Sequence, residues 1–260
     1  MDKLEFLFEK KHQLFFNFID HTTQDKNAVE YINRTLATHF HGRPKSDISL
    51  LDIGCGYGIK TIPIIGQLEN YGVVHTVALD PSEELLDYFK QSISNEDVKF
   101  VNDTWEGNTP DEDYDCILSI HTFYYIQDWK ESLTKMVDNL TQNGVLCLSL
   151  RSKGDVYRFK DYFLPKLNDE YSSERHHEEV CSTLDKLEIK YRAEIVESKL
   201  DISDCLQLND KGKMLIEFML RKPYGEIPQP VREEIQTYLT KNSTDGTLTH
   251  KDGFIWIQKK

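Results

Sequence analysis

The stretch Leu50-Leu51-Asp52-Ile53-Gly54-Cys55-Gly56-Tyr57-Gly58 constrains this chain more than any other. A short apolar run leads into a turn with glycine at every second position, and helical spacing resumes from about Ile59. Glycine is needed where the backbone takes a positive φ or lies close against a ligand. A loop that ends at a helix N-terminus favours a bound negative group. In an open α/β sheet, ligands sit beyond the carboxyl ends of the strands, near the point where strand order reverses. The run at Leu50 is the first of its kind in the chain, so that crevice is expected at its end.

The residues around it supply such a sheet. Apolar runs at Leu50–Ile53, Val73–Leu79, Val98–Val101, Cys116–Ile120 and Val145–Leu150 alternate with helical stretches such as Glu83–Ser92 and Trp129–Leu140. Near-continuous apolar runs suit parallel strands buried on both faces, and strand–helix–strand alternation implies right-handed crossovers. Two further strand candidates, Ala193–Ser198 and Phe254–Ile257, follow, the last as an antiparallel edge partner. Before the sheet, Phe6, Leu7, Leu14, Phe15, Phe18 and Ile19 share one helix face, and a second helix runs through Ala28, Val29, Ile32 and Leu36. Residues 151–190 read as a helical insertion, and Met214–Leu239 as helices broken at Pro223, Pro228 and Pro230. The expectation is one α/β domain over 1–260: a helical cap (1–45), a core (46–150), the insertion (151–190), and strands and helices completing the sheet (191–260).

Composition narrows the function. With 260 residues and 39% hydrophobic content the chain can build one large core. Its net charge of −13, with no Lys/Arg run, argues against a nucleic-acid partner. No apolar stretch approaches membrane-spanning or signal-peptide length, so a soluble, cytoplasmic protein is expected, and a monomer. Five cysteines without a CxxC pair give neither a disulfide framework nor a zinc site. His176-His177 beside Glu178-Glu179 reads as a solvated helix face, and no metal is required.

Two ligand classes compete for the glycine loop. A dinucleotide loop would read G-x-G-x-x-G or G-x-G-x-x-A, whereas Gly54, Gly56 and Gly58 give G-x-G-x-G with Ile59 at the third dinucleotide position. Asp52 stands at the strand end, where it would face a positively charged or amino-bearing ligand. Asp80 ends the second strand, where a carboxylate can hold both hydroxyls of a ribose; a helix N-cap at Asp80 or Ser82 is the alternative.

The loop with its leading aspartate resembles motif I of class I S-adenosylmethionine-dependent methyltransferases. The resemblance implies a Rossmann-like fold, a mostly parallel seven-stranded sheet with helices on both faces, and S-adenosylmethionine as cofactor. It implies that Asp52, Gly54, Cys55, Gly56 and Gly58 wrap the methionine part and that Asp80 and Pro81 meet the ribose. Asp103, Thr104 and Trp105 would border the adenine, the carboxylate accepting from its amine and the indole stacking, while Ile120 and His121 line the cofactor and the acceptor.

Asp20-His21-Thr22-Thr23, Phe123-Tyr124-Tyr125-Ile126-Gln127-Asp128, Leu200-Asp201-Ile202-Ser203-Asp204-Cys205 and Leu215-Ile216-Glu217-Phe218 are similar to segments of histamine N-methyltransferases. In that family a glutamate, a glutamine and an asparagine contact the amine, and they fall here on Gln24, His121 and His250. Tyr124 and Tyr125 match a tyrosine pair, Phe218 a pocket phenylalanine, and two tryptophans fall near Asp155 and Phe159. Replacing the glutamate by Gln24 removes a charge that would pair with an ammonium, and Asp155 is the candidate to restore one. The expected reaction is methyl transfer to a small-molecule acceptor, a nitrogen of a small amine or imidazole-type compound, with His121 accepting a proton or orienting the acceptor. Another small O or N acceptor, and cofactor binding without turnover, are the alternatives.

Overall fold

A computed structural model describes residues 12–44, 46–94, 97–108, 110, 112–167 and 175–260. Phe6 and Leu7, expected on the first helix face, lie outside the described residues. The elements are α1 (His12–Asp20), α2 (Gln24–Phe40), β1 (Ile48–Ile53), α3 (Thr61–Leu68), β2 (Val74–Leu79), α4 (Glu83–Ser92), β3 (Val98–Val101), β4 (Tyr114–Ile120), α5 (Trp129–Asp138), β5 (Leu140–Arg151), α6 (Asp155–Leu167), α7 (His177–Lys186), β6 (Tyr191–Asp201), α8 (Ser203–Gln207), α9 (Asp210–Leu220), α10 (Gln229–Asn242) and β7 (Thr247–Gln258).

The sheet has seven strands in the order β3-β2-β1-β4-β5-β7-β6. Strands β1 to β5 pair in parallel, and β7 pairs antiparallel with β5 from Val145↔Gln258 to Arg151↔Asp252. Strand order reverses at β1, which has β2 on one side and β4 on the other. The crevice predicted by the glycine loop therefore opens at the end of β1. The last strand is antiparallel as expected, but it is not the edge: β7 lies between β5 and β6. Phe254–Ile257 is buried throughout, whereas β6 is exposed along most of its length, as an edge strand can be.

The described residues group into two compact units. The sheet unit comprises 28–151, 175–196 and 252–260. Its strands sort by the two-residue alternation of a pleat. Leu50, Leu118, Cys147 and Phe254 enter one apolar layer with Tyr31, Ile32 and Leu36 of α2 and Ile64 of α3. Leu51, Ile117, Leu146 and Ile255 enter the other with Leu133 of α5 and Val180 and Leu184 of α7. Local chemistry agrees with this packing: Ser82 caps α4 by accepting from the Leu85 amide, and Glu83 and Glu84 follow in the first turn, where the helix dipole favours negative charge.

The helical unit comprises 12–27, 152–167 and 197–251. Its core joins Phe18, Val156, Phe159, Phe163, Leu215, Ile216, Ile235 and Leu239. Two of the family-like segments meet here. Thr22 bridges Leu200, the Asp201 amide donates to the His21 carbonyl at 2.8 Å, and His21 Nε2 lies 3.0 Å from Asp204 Oδ2. The 151–190 stretch is helical as expected where described, but it divides: α6 belongs to the helical unit and α7 to the sheet unit. His177, expected on a solvated face, is buried, because its ring packs where a Cβ on Gly253 would stand. Among the described residues, no helix is long and apolar enough to cross a membrane.

Leu118, fully buried in the first layer, tests this core. Leu118→Ala should lower unfolding free energy by about 2–5 kcal/mol, seen as a reduced urea midpoint at unchanged slope.

Candidate functional site

At the end of β1 the chain turns through Gly54, Gly56 and Gly58, all with positive φ (74°, 56° and 80°). A Cβ on Gly54 would fall 1.9 Å from the Thr122 methyl, whereas one on Gly56 would meet nothing within 4 Å. Gly54 thus allows a close approach inside the protein, and Gly56 leaves backbone open to an occupant. Gly58 packs under the Phe89 ring. The loop amides are held by the end of β2: Gly54 N–H donates to the Leu79 carbonyl at 2.7 Å and Gly56 N–H to Asp80 Oδ2 at 2.8 Å.

Asp80 therefore does two things. Its Oδ1 accepts from the Ser82 amide at 2.9 Å, so it initiates the turn that Ser82 then caps. Burial raises its pKa, and the Ser82 and Gly56 amides oppose the rise. A carboxylate offers about four acceptor positions, so capacity remains for ribose hydroxyls. Pro81 beside it is exposed. An open glycine cradle and a fixed carboxylate at the next strand end fit a nucleoside cofactor.

Asp52 faces inward. Its Oδ2 accepts from the Thr61 hydroxyl at 2.5 Å, tying the strand end to the first turn of α3. Burial pushes it up to about 6; the Thr61 bond and Lys60 oppose this, and Asp80 adds to it. Burial likewise pushes the Cys55 thiol well up, so Cys55 is a packed thiol.

After β3, Asp103 Oδ1 accepts from the Thr104 amide at 2.7 Å, and Thr104 Oγ1 from the Gly107 amide at 3.1 Å; both side chains are exposed and shape their own turn. Trp105 corrects the sequence expectation. Its indole is buried in the second layer with Leu51, Ile53 and Leu79, and the Lys135 ammonium sits 4.3 Å from its ring centre. An indole committed to the core in this way offers no face to an adenine. Ile120 is likewise buried, in the first layer.

The end of β4 carries the polar groups. His121 has φ 59°, a left-handed conformation uncommon for a non-glycine residue. Its amide donates to the Ser149 carbonyl at 3.0 Å, and Nε2 lies 3.4 Å from Ser149 Oγ and 3.7 Å from Asp252 Oδ2. Thr122 follows, donating from Oγ1 to the Ile53 carbonyl at 2.8 Å. Tyr124 and Tyr125 meet edge to face at 4.6 Å, and the Arg151 guanidinium stands 5.2 Å from the Tyr124 ring centre. Burial raises the pKa of both phenols, so both are neutral donors at ordinary pH. Arg175 holds this loop from outside, donating from Nη1 to the carbonyls of Phe123 at 2.9 Å and Ile126 at 3.3 Å. Asp252, Ser149, Arg151 and Arg175 were not singled out from the sequence. Only Asp252 carried a signal, a carboxylate at the mouth of the apolar run Phe254–Ile257.

In the helical unit, three of the expected acceptor residues come together. The Gln24 amide nitrogen lies 3.4 Å from His250 Nε2, both residues buried. Phe18 stacks on Phe218 at 4.6 Å and presents an edge to His250 at 6.1 Å. Two expectations are corrected. Asp155 does not supply a spare charge: Oδ2 accepts from the Thr249 amide at 3.2 Å, and Oδ1 pairs with Arg158 at 2.9 Å. Phe159 is core, fully buried against Phe163 and Tyr238.

The family described as "Methyltransferase domain" matches residues 20–194. The chain is 25% identical to histamine N-methyltransferase of Bos taurus over 236 residues, 79% of this chain and 77% of that protein. It is 28% identical over 105 residues, 40% of this chain and 36% of the other, to malonyl-[acyl-carrier protein] O-methyltransferase of Acetivibrio thermocellus. The solved plantazolicin methyltransferase BpumL, in complex with SAH, superposes with a TM-score of 0.58 at 17% identity, covering 99% of this chain and 93% of that one.

Two variants test the loop. Gly54→Ala combines a positive φ with a methyl clash and should destabilise by on the order of 1–3 kcal/mol. Adding Thr122→Ser, which removes the opposing methyl, should recover part of that loss in a double-mutant cycle; strict additivity would disprove the contact. For Asp52, the folded state holds a proton more tightly than the unfolded chain, so its contribution to stability is full below about pH 4 and is lost as pH rises to about 6. Asp52→Asn, whose amide oxygen can still accept from Thr61, should gain on wild type across that window in urea titrations. A pH-independent difference would show that burial does not shift Asp52.

Proposed function

Because the chain belongs to the class I S-adenosylmethionine-dependent methyltransferases, we propose that it methylates a nitrogen of a small amine or imidazole-type molecule. The observation that carries the cofactor side of this reading is the open backbone at Gly56 held by the Asp80 carboxylate, and the nitrogen acceptor rests on the similarity to histamine N-methyltransferase. Asp80 would take the ribose, Gly54 to Gly58 the methionine part, and Asp103 and Thr104 the adenine side. S-adenosylmethionine supplies, when bound, a methyl group on a positively charged sulfur.

The protein's task is then to place the acceptor and manage its proton. Positioning of this kind can contribute about 7–11 kcal/mol in favourable cases. We assign His121 to proton acceptance or to orienting the acceptor, with Tyr124 and Tyr125 as its aromatic neighbours. In the helical unit, we assign Gln24, Phe218 and His250 to acceptor recognition. Gln24 brings no negative charge, so an acceptor that reacts in its neutral form suits that group better than a permanent cation. The similarity to an O-methyltransferase keeps a hydroxyl acceptor as a second reading.

Isothermal titration with S-adenosylmethionine, S-adenosylhomocysteine and NAD tests the cofactor side. The first two should bind, and Asp80→Ala should weaken them roughly 10–100-fold; binding of NAD alone would overturn the assignment. An acceptor panel of arylalkylamines, imidazoles and phenols, read by release of S-adenosylhomocysteine, then tests the reaction. Turnover confined to phenols would replace the nitrogen reading, and no turnover on any acceptor would leave a binding protein.

A further inference from the structure

We infer that Asp252 positions His121 and stabilises the proton it takes up, so that the acceptor is one whose reacting nitrogen or oxygen must lose a proton; this rests on the methyl-transfer reading above. Asp252 is 1% exposed, at the mouth of the apolar run of β7. Burying a carboxylate there is costly, by several kcal/mol, unless basic groups face it. Its Oδ2 lies 3.7 Å from His121 Nε2, beyond a hydrogen bond but within ion-pair range, and Ser149 Oγ is 3.4 Å from the same nitrogen. Such pairs are often loose before a ligand arrives and tighten with it.

The backbone is committed to this placement. His121 is held in its left-handed conformation by the bond from its amide to the Ser149 carbonyl, which sets its ring beside β5 and β7. Gly253, next to Asp252, admits the His177 ring, since a Cβ there would stand 2.1 Å from it. That packing pins β7 at the residue adjoining the carboxylate.

Asp252 on β7 favours the protonated form of His121; Arg151 on β5 is the register partner of that carboxylate and stands 5.2 Å from the Tyr124 ring centre. Tyr124 and Tyr125 on the following loop are neutral. A neutral imidazole beside a carboxylate donates its N–H to it and accepts on its other nitrogen. The acceptor's proton then moves to the imidazole lone pair, its bonding electrons stay on the acceptor atom, and Asp252 offsets the new charge until the proton leaves to solvent. A thioether carries no proton on the reacting atom and has no use for the pair.

The test uses the full chain without cofactor. NMR titration of the His121 ring, assigned with His121→Gln, should show in wild type a pKa at or above the ordinary imidazole value of about 6.5, with the neutral ring carrying its proton on Nε2. Asp252→Asn should lower that pKa by about one unit or more. A depressed wild-type value, an Nδ1–H tautomer, or no change in the variant would overturn the inference; the wild-type result decides even where the variant does not fold. In turnover, Asp252→Asn should cost at least roughly tenfold in kcat/KM with a secondary amine or phenol and shift the pH inflection, while leaving a thioether within about twofold. An equal loss on both classes would mark Asp252 as structural. Failure to bind S-adenosylmethionine would sink the methyl-transfer reading and leave the NMR result standing.

Discussion

The contact between Gly54 and Thr122 is the constraint on which the rest of the sheet unit's chemistry depends. Thr122 places its methyl where a side chain on Gly54 would be, and its hydroxyl binds the last carbonyl of β1. The loop after β1 and the loop after β4 are thus one interlocked piece. On one side of it stand the open backbone of Gly56 and the carboxylate of Asp80; on the other, one residue away in sequence, stands His121. Two loops that share such a contact cannot shift independently, which suits a reaction needing two molecules held in line. Arg175 extends the same device, fixing the tyrosine loop through backbone carbonyls that tolerate any side chain on the loop.

The unit also concentrates buried carboxylates where a purely structural sheet would have apolar residues. Asp52, Asp80 and Asp252 are all buried at or near the carboxyl ends of β1, β2 and β5 or beside them. Each is met by a donor or a basic neighbour: the Thr61 hydroxyl, the Gly56 and Ser82 amides, and His121. Such groups reduce stability relative to apolar replacements.

The family relationship and the geometry inform each other. Asp20–Thr23 and Leu200–Cys205, recognisable as family-like in sequence, meet in the helical unit through the Thr22–Leu200 bridge and the His21–Asp204 pair. That part of the resemblance therefore reports architecture. The three expected acceptor contacts, Gln24, His121 and His250, are all buried or nearly so and hydrogen-bonded to polar neighbours.

Much of the fold was legible in the sequence because it is written in local patterns. Near-continuous apolar runs located β1 to β4 within two residues, and Ser82, one of two N-cap candidates, caps α4. Glycine at every second position announced the crevice, since only backbone freedom explains that spacing, and Asp80 followed from its place at a strand end. What the sequence could not decide was the fate of residues whose role depends on a partner far along the chain. Trp105 and Phe159 are aromatic residues that serve a core or a pocket equally well, and their burial beside Leu79 and Tyr238 was settled by which layers closed over them. Asp155 could be a spare charge until Thr249 and Arg158 were seen to occupy it. The position of β7 inside the sheet, and with it the approach of Asp252 to His121 across 131 residues of chain, belongs to tertiary structure alone. Pairing between distant strands is chosen by the summed burial of both faces, and no local pattern of residues encodes that sum.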